Sequence, residues 1–164
     1  MRFGIITITG LVIIWLLSSY TLKHQPRVLT FNDFEPHLHF QNDTTYLVNF
    51  WASWCTPCVE ELPAFERIGE EFRHQKVKVL LVSLDFPRQI ESRLVPFLEQ
   101  HQIRSEVIVL NDPDANNWID RVDPSWSGSI PATVIYHRRD RTFREGAYDY
   151  DDLKGIVEQK IKTK

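Results

Sequence analysis

Cys55 and Cys58 are the residues of this chain whose type and spacing could do chemistry, and the chain has no other cysteines. Thr56 and Pro57 separate them. A disulfide between them closes a very short loop, which the chain-entropy model credits with roughly 2 kcal/mol, against about 4.7 kcal/mol for a loop of 100 residues. Because the pair is a poor structural crosslink, its spacing favours reversible thiol–disulfide exchange.

The elements that flank Cys55 determine whether its sulfur can react. The run Thr45 to Ala52 predicts a buried strand, and apolar periodicity predicts a helix from about Thr56 to Gln75 directly after it. Unpaired N–H groups and the dipole at a helix start favour a thiolate, the form that attacks a disulfide. We therefore predict that Cys55 is the exposed nucleophile and that Cys58, one helical turn later, is the resolving thiol.

A zinc site, or a pair of inert buried cysteines, is the alternative to redox chemistry. A structural zinc ion needs four ligands, commonly supplied by two such cysteine pairs. The chain has no second pair, and no histidine is close to Cys55 and Cys58 in sequence. The favoured interpretation is therefore redox chemistry without a bound metal or cofactor.

Periodicity elsewhere predicts alternating strands and helices. Strands are predicted at Lys76–Leu84, Glu106–Leu110, Ala132–Tyr136 and Thr142–Glu145, and helices around Ile90–Leu98, Trp118–Val122 and Leu153–Ile161. This order predicts an α/β fold with a mixed central sheet flanked by helices, in which the last two strands form an antiparallel hairpin.

The first residues differ from the rest of the chain. Phe3 to Leu22 carries no charge and follows Arg2, a pattern typical of a signal peptide and long enough to span a bilayer as one helix. No Ala-x-Ala cleavage pattern follows it. We therefore expect a membrane anchor over residues 1–22, a polar tether over 23–27, and one domain over 28–164 in the periplasm or another extracytoplasmic space.

Overall charge and motifs limit the classes of partner. The formal net charge is −3, so the chain lacks the basic surface typical of nucleic-acid binding. It also lacks a GxGxxG fingerprint for a nicotinamide cofactor. A protein that reduces disulfides through Cys55 and Cys58 is therefore expected to take its electrons from a membrane oxidoreductase.

The active-site segment resembles a known family. Val48 to Cys58 (VNFWASWCTPC), followed by Val59 to Pro63 (VEELP), resembles the active site of thioredoxin-like proteins. More narrowly, it is similar to the TlpA/ResA branch of exported, membrane-tethered reductases, which includes cytochrome c maturation proteins. The resemblance covers about residues 28–162 and implies a thioredoxin-like fold. It also implies that the strand and helix between Gln102 and Val122 are the insertion of this branch.

The resemblance also implies roles for particular residues. Ile130 and Pro131 lie where the family has a cis-proline beside the disulfide, and the backbone of Ile130 is expected to pair with a substrate strand. Glu61 matches a glutamate that tunes the cysteine pKa values, whereas its neighbour Glu60 is expected to be solvated. The expected substrate-binding residues are Trp54, Thr56, Pro57, Ile130 and Pro131.

One position departs from cytoplasmic thioredoxins, which have a buried aspartate where this chain has Asn49. An asparagine cannot exchange a proton, so it cannot act as a general base. The departure agrees with the TlpA/ResA branch and assigns the acid–base role to Glu61.

Several functions remain open. A reductant of protein disulfides is favoured over an oxidant that donates its disulfide to folding proteins. A copper-binding module would need a remote histidine such as His137, for which a solvated turn is the favoured interpretation. A thiol peroxidase is disfavoured because its Pro-x-x-x-Thr-x-x-Cys arrangement is missing. Trp126 could shape a substrate groove or pack in the core, whereas Trp51 is expected to pack.

Overall fold

The computed structural model describes residues 25–162. Within that range the strands are β1 (Arg27–Leu29), β2 (Thr45–Trp51), β3 (Val77–Ser83), β4 (Glu106–Leu110), β5 (Ala132–His137) and β6 (Asp140–Glu145). The α-helices are α1 (Phe31–Phe34), α2 (Thr56–Glu71), α3 (Val95–Gln100), α4 (Ala115–Val122) and α5 (Tyr150–Lys162). Short 3-10 turns cover Glu35–Leu38, Arg73–Gln75 and Pro87–Gln89, and a π-helical turn at Ile90–Leu94 leads into α3.

These strands form a mixed sheet in the order β1-β4-β3-β2-β5-β6. Strands β1, β4, β3 and β2 are mutually parallel, whereas β5 is antiparallel to β2 and β6 is antiparallel to β5. The carboxyl ends of the parallel strands therefore share one edge of the sheet with the start of β5. The mixed sheet and its terminal hairpin confirm the predicted fold class.

Local differences from the predicted elements have physical causes. Helix α2 ends at Glu71, four residues before the predicted Gln75, and Lys76 then adopts a left-handed conformation (φ 57°) that turns the chain into β3. Helix α4 begins at Ala115, three residues before the predicted Trp118. Its first turn is polar, so periodicity revealed only the part that starts at Trp118.

The sequence did not predict the segment from β1 to the 3-10 turn at Glu35–Leu38. Strand β1 has three residues, too few to show a periodicity, and it pairs with the distant β4, where Arg27 is opposite Ile108. The side chain of Thr30 caps α1 by accepting a hydrogen bond from Asp33 N at 3.3 Å. This segment covers the sheet with the buried side chains of Phe31, Phe34 and Leu38.

Two halves of the core lie on opposite faces of the sheet because strand side chains alternate between faces. Leu47 and Trp51 of β2 pack with residues of α2, α3 and α5 on what we call the α2 face. Val48 and Phe50 pack with residues of α1 and α4 on the α1 face. By the same alternation, Asn49 lies on the α2 face, beneath the helix that follows the cysteines.

The predicted anchor over residues 1–22 lies outside the described residues. Among residues 25–162, no helix combines the length and apolarity that crossing a membrane requires. The boundaries between anchor, tether and domain, after residues 22 and 27, stay predictions. Strand β1 begins at Arg27, the last residue of the predicted tether.

Phe34→Ala should lower the free energy of unfolding by about 3–5 kcal/mol. The Phe34 ring is fully buried and packs edge-on against Phe50, with ring centroids 5.8 Å apart. Urea unfolding followed by tryptophan fluorescence measures this loss. Phe86→Ala is the matched control, because that ring is 54% exposed and its loss should cost less than about 0.5 kcal/mol. Equal losses would contradict the buried position of α1.

Candidate active site

A disulfide joins Cys55 and Cys58 at the point where the chain passes from β2 into α2. Cys55 is the N-cap residue of α2, with an extended backbone (φ −94°, ψ 104°), and Cys58 lies in the first turn. Their Cα atoms are 5.3 Å apart. Cys55 is 8% exposed and Cys58 is 0% exposed. Cys55 is therefore the accessible member of the pair, although it is much less exposed than the sequence suggested.

The start of α2 provides the electrostatic environment of Cys55. Val59 N donates to Cys55 O at 3.0 Å, the first hydrogen bond of the helix, so the N–H groups before it have no partner within the helix. Pro57 fits this first turn because it has no N–H to satisfy. When the pair is reduced, a sulfur at the N-cap is stabilised as a thiolate by the helix N-terminus. Thr56 and Pro57 themselves are exposed.

The peptide bond between Ile130 and Pro131 is cis, which confirms the predicted geometry. Because Phe50 pairs with Ala132 across β2 and β5, this bond lies at the same edge of the sheet as the cysteines. Cys55 Sγ lies 3.7 Å from Ile130 O. A disulfide sulfur carries no hydrogen to donate, so this approach is a van der Waals contact. Pro131 is buried and Ile130 is half-buried.

Glu61 is a buried carboxylic acid whose two oxygens accept hydrogen bonds from β2 and from the loop before α5. Its Oε1 accepts a hydrogen bond from Asn49 Nδ2 of β2 at 2.7 Å, and its Oε2 accepts one from Tyr148 N at 2.8 Å. Asn49 Nδ2 also donates to Thr133 Oγ1 of β5 at 3.1 Å. Asn49, at the position of the thioredoxin aspartate, therefore serves as a hydrogen-bond donor to Glu61.

Burial raises the pKa of Glu61 from 4.5 to about 7. Desolvation of the carboxylate is the largest cause, and the hydrogen bonds from Tyr148 and Asn49 oppose it because they stabilise the charged form. Glu61 therefore holds a proton below neutral pH and releases it above. A group that titrates near neutral pH is suited to general acid–base catalysis at that pH.

A groove connects Glu61 with the surface. It has a volume of about 770 Å³ and runs between α2 and the loop that precedes α5, with Pro57, Glu61, Arg67 and Tyr148 in its lining. Glu61 itself is 3% exposed. The groove gives protons a path to a carboxyl group that is otherwise enclosed. Glu60, the neighbour of Glu61 in sequence, is exposed as predicted.

Three tryptophans differ in how far they are buried. Trp54 is 50% exposed beside Cys55. Trp51 is fully buried and packs against Phe97, which confirms its predicted packing role. Trp126 belongs to the core of the α1 face, where it packs against Phe50 with ring centroids 4.8 Å apart.

The interpretation of His137 as a solvated turn residue was wrong. His137 is 5% exposed and is the last residue of β5, paired with Thr45 of β2. All six residues of β5 are buried, so the buried strand extends one residue beyond the apolar run Ala132–Tyr136. His137 is five residues beyond Ala132, which places it roughly 17 Å along the strand from the cysteine edge. Within residues 25–162, no three or more His, Cys, Asp or Glu side chains form a group that could hold a metal ion.

Sequence reasoning missed the contributions of the loop between β6 and α5. Gly146 N donates to Pro131 O at 2.8 Å, and Tyr148 N donates to Glu61. Gly146 has φ 112°, a conformation that glycine adopts without strain. Backbone donors of this kind leave no side-chain signal, so the glycine itself was the one available hint.

The site and fold can be compared with known proteins. Residues 25–140 match the AhpC/TSA family. The thiol-disulfide oxidoreductase ResA of Halalkalibacterium halodurans is 33% identical over 88 residues, which are 54% of this chain and 45% of that protein. The thioredoxin-like protein YneN of Bacillus subtilis is 30% identical over 63 residues, 38% of this chain and 36% of that protein. The matched stretches therefore span less than half of the length of these two relatives.

Solved structures give the same fold. A thiol:disulfide interchange protein of the thioredoxin family from Chlorobium tepidum superposes with a TM-score of 0.61 at 18% identity, covering 77% of this chain and 84% of that one. At this identity the likeness shows the fold, which agrees with the thioredoxin-like class predicted from the sequence. Since the family match extends over more than half of the chain, the chain belongs to the AhpC/TSA family, with a thioredoxin-like fold.

Proposed function

We propose that this protein is a thiol–disulfide oxidoreductase that reduces disulfides of exported proteins. The observation that carries the proposal is the placement of the Cys55–Cys58 pair at the N-terminus of α2, with the Ile130 carbonyl beside Cys55 and buried Glu61 on the same helix. A nucleophile, a resolving thiol and a proton acceptor are thus gathered in one part of the fold.

The first step is attack by the Cys55 thiolate on one sulfur of the substrate disulfide. A new bond joins Cys55 Sγ to that sulfur, the substrate S–S bond breaks, and the other substrate sulfur leaves as a thiolate that takes a proton. Trp54, Thr56 and Pro57 are exposed beside Cys55 in the chain and contact the substrate, and the backbone of Ile130, next to Pro131, pairs with the substrate strand. These groups orient the substrate for attack.

The second step releases the product. Cys58 loses its proton, attacks Cys55 Sγ, and forms the Cys55–Cys58 disulfide while the substrate leaves as a dithiol. Glu61, with its pKa of about 7 and one turn from Cys58 on α2, accepts the Cys58 proton directly or through a water molecule. The sulfur released in this step takes the proton that Glu61 accepted from Cys58, whereas the sulfur released in the first step takes its proton from water. Two electrons and one proton have then passed from the protein to the substrate.

After each reaction the Cys55–Cys58 disulfide must be reduced again by a dithiol reductant. We propose that a membrane oxidoreductase supplies two electrons by exchange at Cys55, and that the uncharged segment Phe3–Leu22 anchors the protein beside this donor on the extracytoplasmic side. Because the TlpA/ResA branch includes cytochrome c maturation proteins, we propose an apoprotein with haem-binding cysteines as a substrate.

The reduction potential of the Cys55–Cys58 pair tests the direction of the reaction. A reductant should have a value near that of thioredoxin, about −270 mV, or lower. Equilibration with glutathione or dithiothreitol buffers, followed by thiol alkylation, gives the value. A potential near −120 mV, as in a strong periplasmic oxidant, would instead make the protein a disulfide donor.

Cys58→Ser should trap the first intermediate, because the mixed disulfide at Cys55 then has no resolving thiol. Mass spectrometry after incubation with a disulfide-bonded peptide should detect one peptide attached to Cys55. Cys55→Ser is the matched variant and should form no adduct and reduce no substrate. Adduct formation at Cys58 in Cys55→Ser would reverse the assigned roles.

Glu61→Gln should remove a pH dependence from the second step. In the parent, resolution should accelerate as pH rises through about 7, because Glu61 must lose its proton before it can accept one. Stopped-flow measurement of mixed-disulfide resolution between pH 5 and 8 reports this inflection. Glu60→Gln, the exposed neighbour, is the control and should keep the parental profile. An inflection retained in Glu61→Gln would refute the role of Glu61.

Glu61→Gln should also change how the free energy of unfolding depends on pH. A raised pKa means that the folded state binds more protons than the unfolded state, so the contribution of Glu61 to stability is lost as pH rises from about 4.5 to about 7. The unfolding free energy of Glu61→Gln relative to the parent should therefore increase over this range, by roughly 3 kcal/mol. Urea unfolding at both ends of the range measures the change.

A further inference from the structure

Two exposed aromatic rings lie near the cysteines. Among the described residues, the exposed large apolar side chains are Val28, Trp54 and Phe86, at 45%, 50% and 54% exposure. Val28 lies on the edge strand β1, whereas Trp54 precedes Cys55 and Phe86 follows β3 at the carboxyl edge of the sheet. Single exposed apolar residues are common on protein surfaces. Whether Trp54 and Phe86 act together therefore depends on the contacts that fix their loops.

The carboxylate of Asp85 fixes the two loops that carry the rings. Asp85 is 2% exposed, and it accepts hydrogen bonds from Ser53 N at 2.9 Å and Ser53 Oγ at 2.7 Å. Ser83 Oγ donates to the same carboxylate at 2.8 Å. Each aromatic residue is one position beyond a member of the Ser53–Asp85 pair. We call this set of hydrogen bonds the Asp85 clamp.

The backbone strengthens the same connection. Leu84 N donates to Trp51 O at 2.8 Å, which continues the β2–β3 pairing to the start of both loops. A buried carboxylate is costly unless its oxygens are hydrogen-bonded, and the donors of the Asp85 clamp meet that need. The two loops are therefore joined firmly immediately before Cys55.

The sheet order places Cys55 between the loop of Phe86 and the Ile130 backbone. Strand β2 has β3 on one side and β5 on the other, so the loop of Phe86 and the bond before Pro131 flank the loop of Cys55. Two strand spacings are about 10 Å, which is the span of about three residues of extended chain. A peptide that lies beside Ile130 with its disulfide at Cys55 can therefore reach Trp54 and Phe86.

We propose that Trp54 and Phe86, held by the Asp85 clamp, form a contact surface for apolar residues that flank the disulfide of a protein substrate. Phe86 is the specificity-determining residue of this surface, and Asp85 is its positioning residue. The inference rests on the proposed function, since it names the substrate class that the reductase prefers. Substrates with polar flanking residues lose this contact and react more slowly.

Two disulfide-bonded peptides test the proposal. They are identical except that leucine or serine occupies both positions next to the attacked cysteine. The reduced full-length protein should reduce the leucine peptide about fivefold faster than the serine peptide, as expected for partial burial of one aromatic ring. Chromatography of the remaining disulfide peptide gives both rates, and their ratio is the readout.

Four variants separate a loss of substrate recognition from general damage to the protein. In Phe86→Ala the ratio should fall to about 1, whereas Phe86→Leu should keep most of the preference because it preserves an apolar contact. Asp85→Asn should also lower the ratio with the Phe86 ring intact, since an amide nitrogen cannot accept from Ser53. Val28→Ala is the matched control, with similar exposure on β1, and should keep the parental ratio.

The possible failures are distinguishable. A parental ratio of about 1, or an unchanged ratio in Phe86→Ala, would overturn the contact surface while leaving the reductase activity intact. If the parent protein reduces neither peptide, the proposed function itself is wrong, and the inference is overturned with it.

Discussion

Strand β2 is buried along its whole length, and this burial is the constraint on which the rest of the structure depends. Its alternating side chains place Leu47 and Trp51 on the α2 face and Val48 and Phe50 on the α1 face, so both faces need a helical cover. The chain supplies α2 directly after β2. Because the same passage from strand to helix makes Cys55 an N-cap residue, covering the core and preparing the sulfur for reaction depend on one junction.

Glu61 interrupts the apolar contact between α2 and the sheet. A carboxyl group in this position is costly to bury, and its hydrogen bonds from Asn49 and Tyr148 offset only part of that cost, since desolvation still dominates its pKa. Departures from good packing of this kind are expected at functional sites. The groove beside Glu61 gives the group the proton access that a purely structural carboxylate does not need.

The edge of the sheet gathers the remaining parts of the site from distant segments. The parallel strands β2 and β3 end there, and the antiparallel β5 begins there. The loops that carry Cys55, Phe86 and Pro131 are consequently neighbours. Hydrogen bonds from Ser53 to Asp85 join the loops of Cys55 and Phe86, and Gly146 N of the loop before α5 donates to Pro131 O. Rigid loops around Cys55 provide the preorganisation that a positioned nucleophile requires.

The sequence by itself determined the features that depend on neighbours along the chain. The strand before Cys55, the helix after it, and the spacing of Cys58 and Glu61 on that helix follow from local periodicity. Only the tertiary structure decided the features that depend on distant pairings. The β1 segment pairs with β4, Asp85 holds Ser53, and Tyr148 donates to Glu61 across 87 positions of sequence. Likewise, the burial of His137 follows from its pairing with Thr45, because local patterns carry no information about which distant strand, loop or backbone N–H will complete a site.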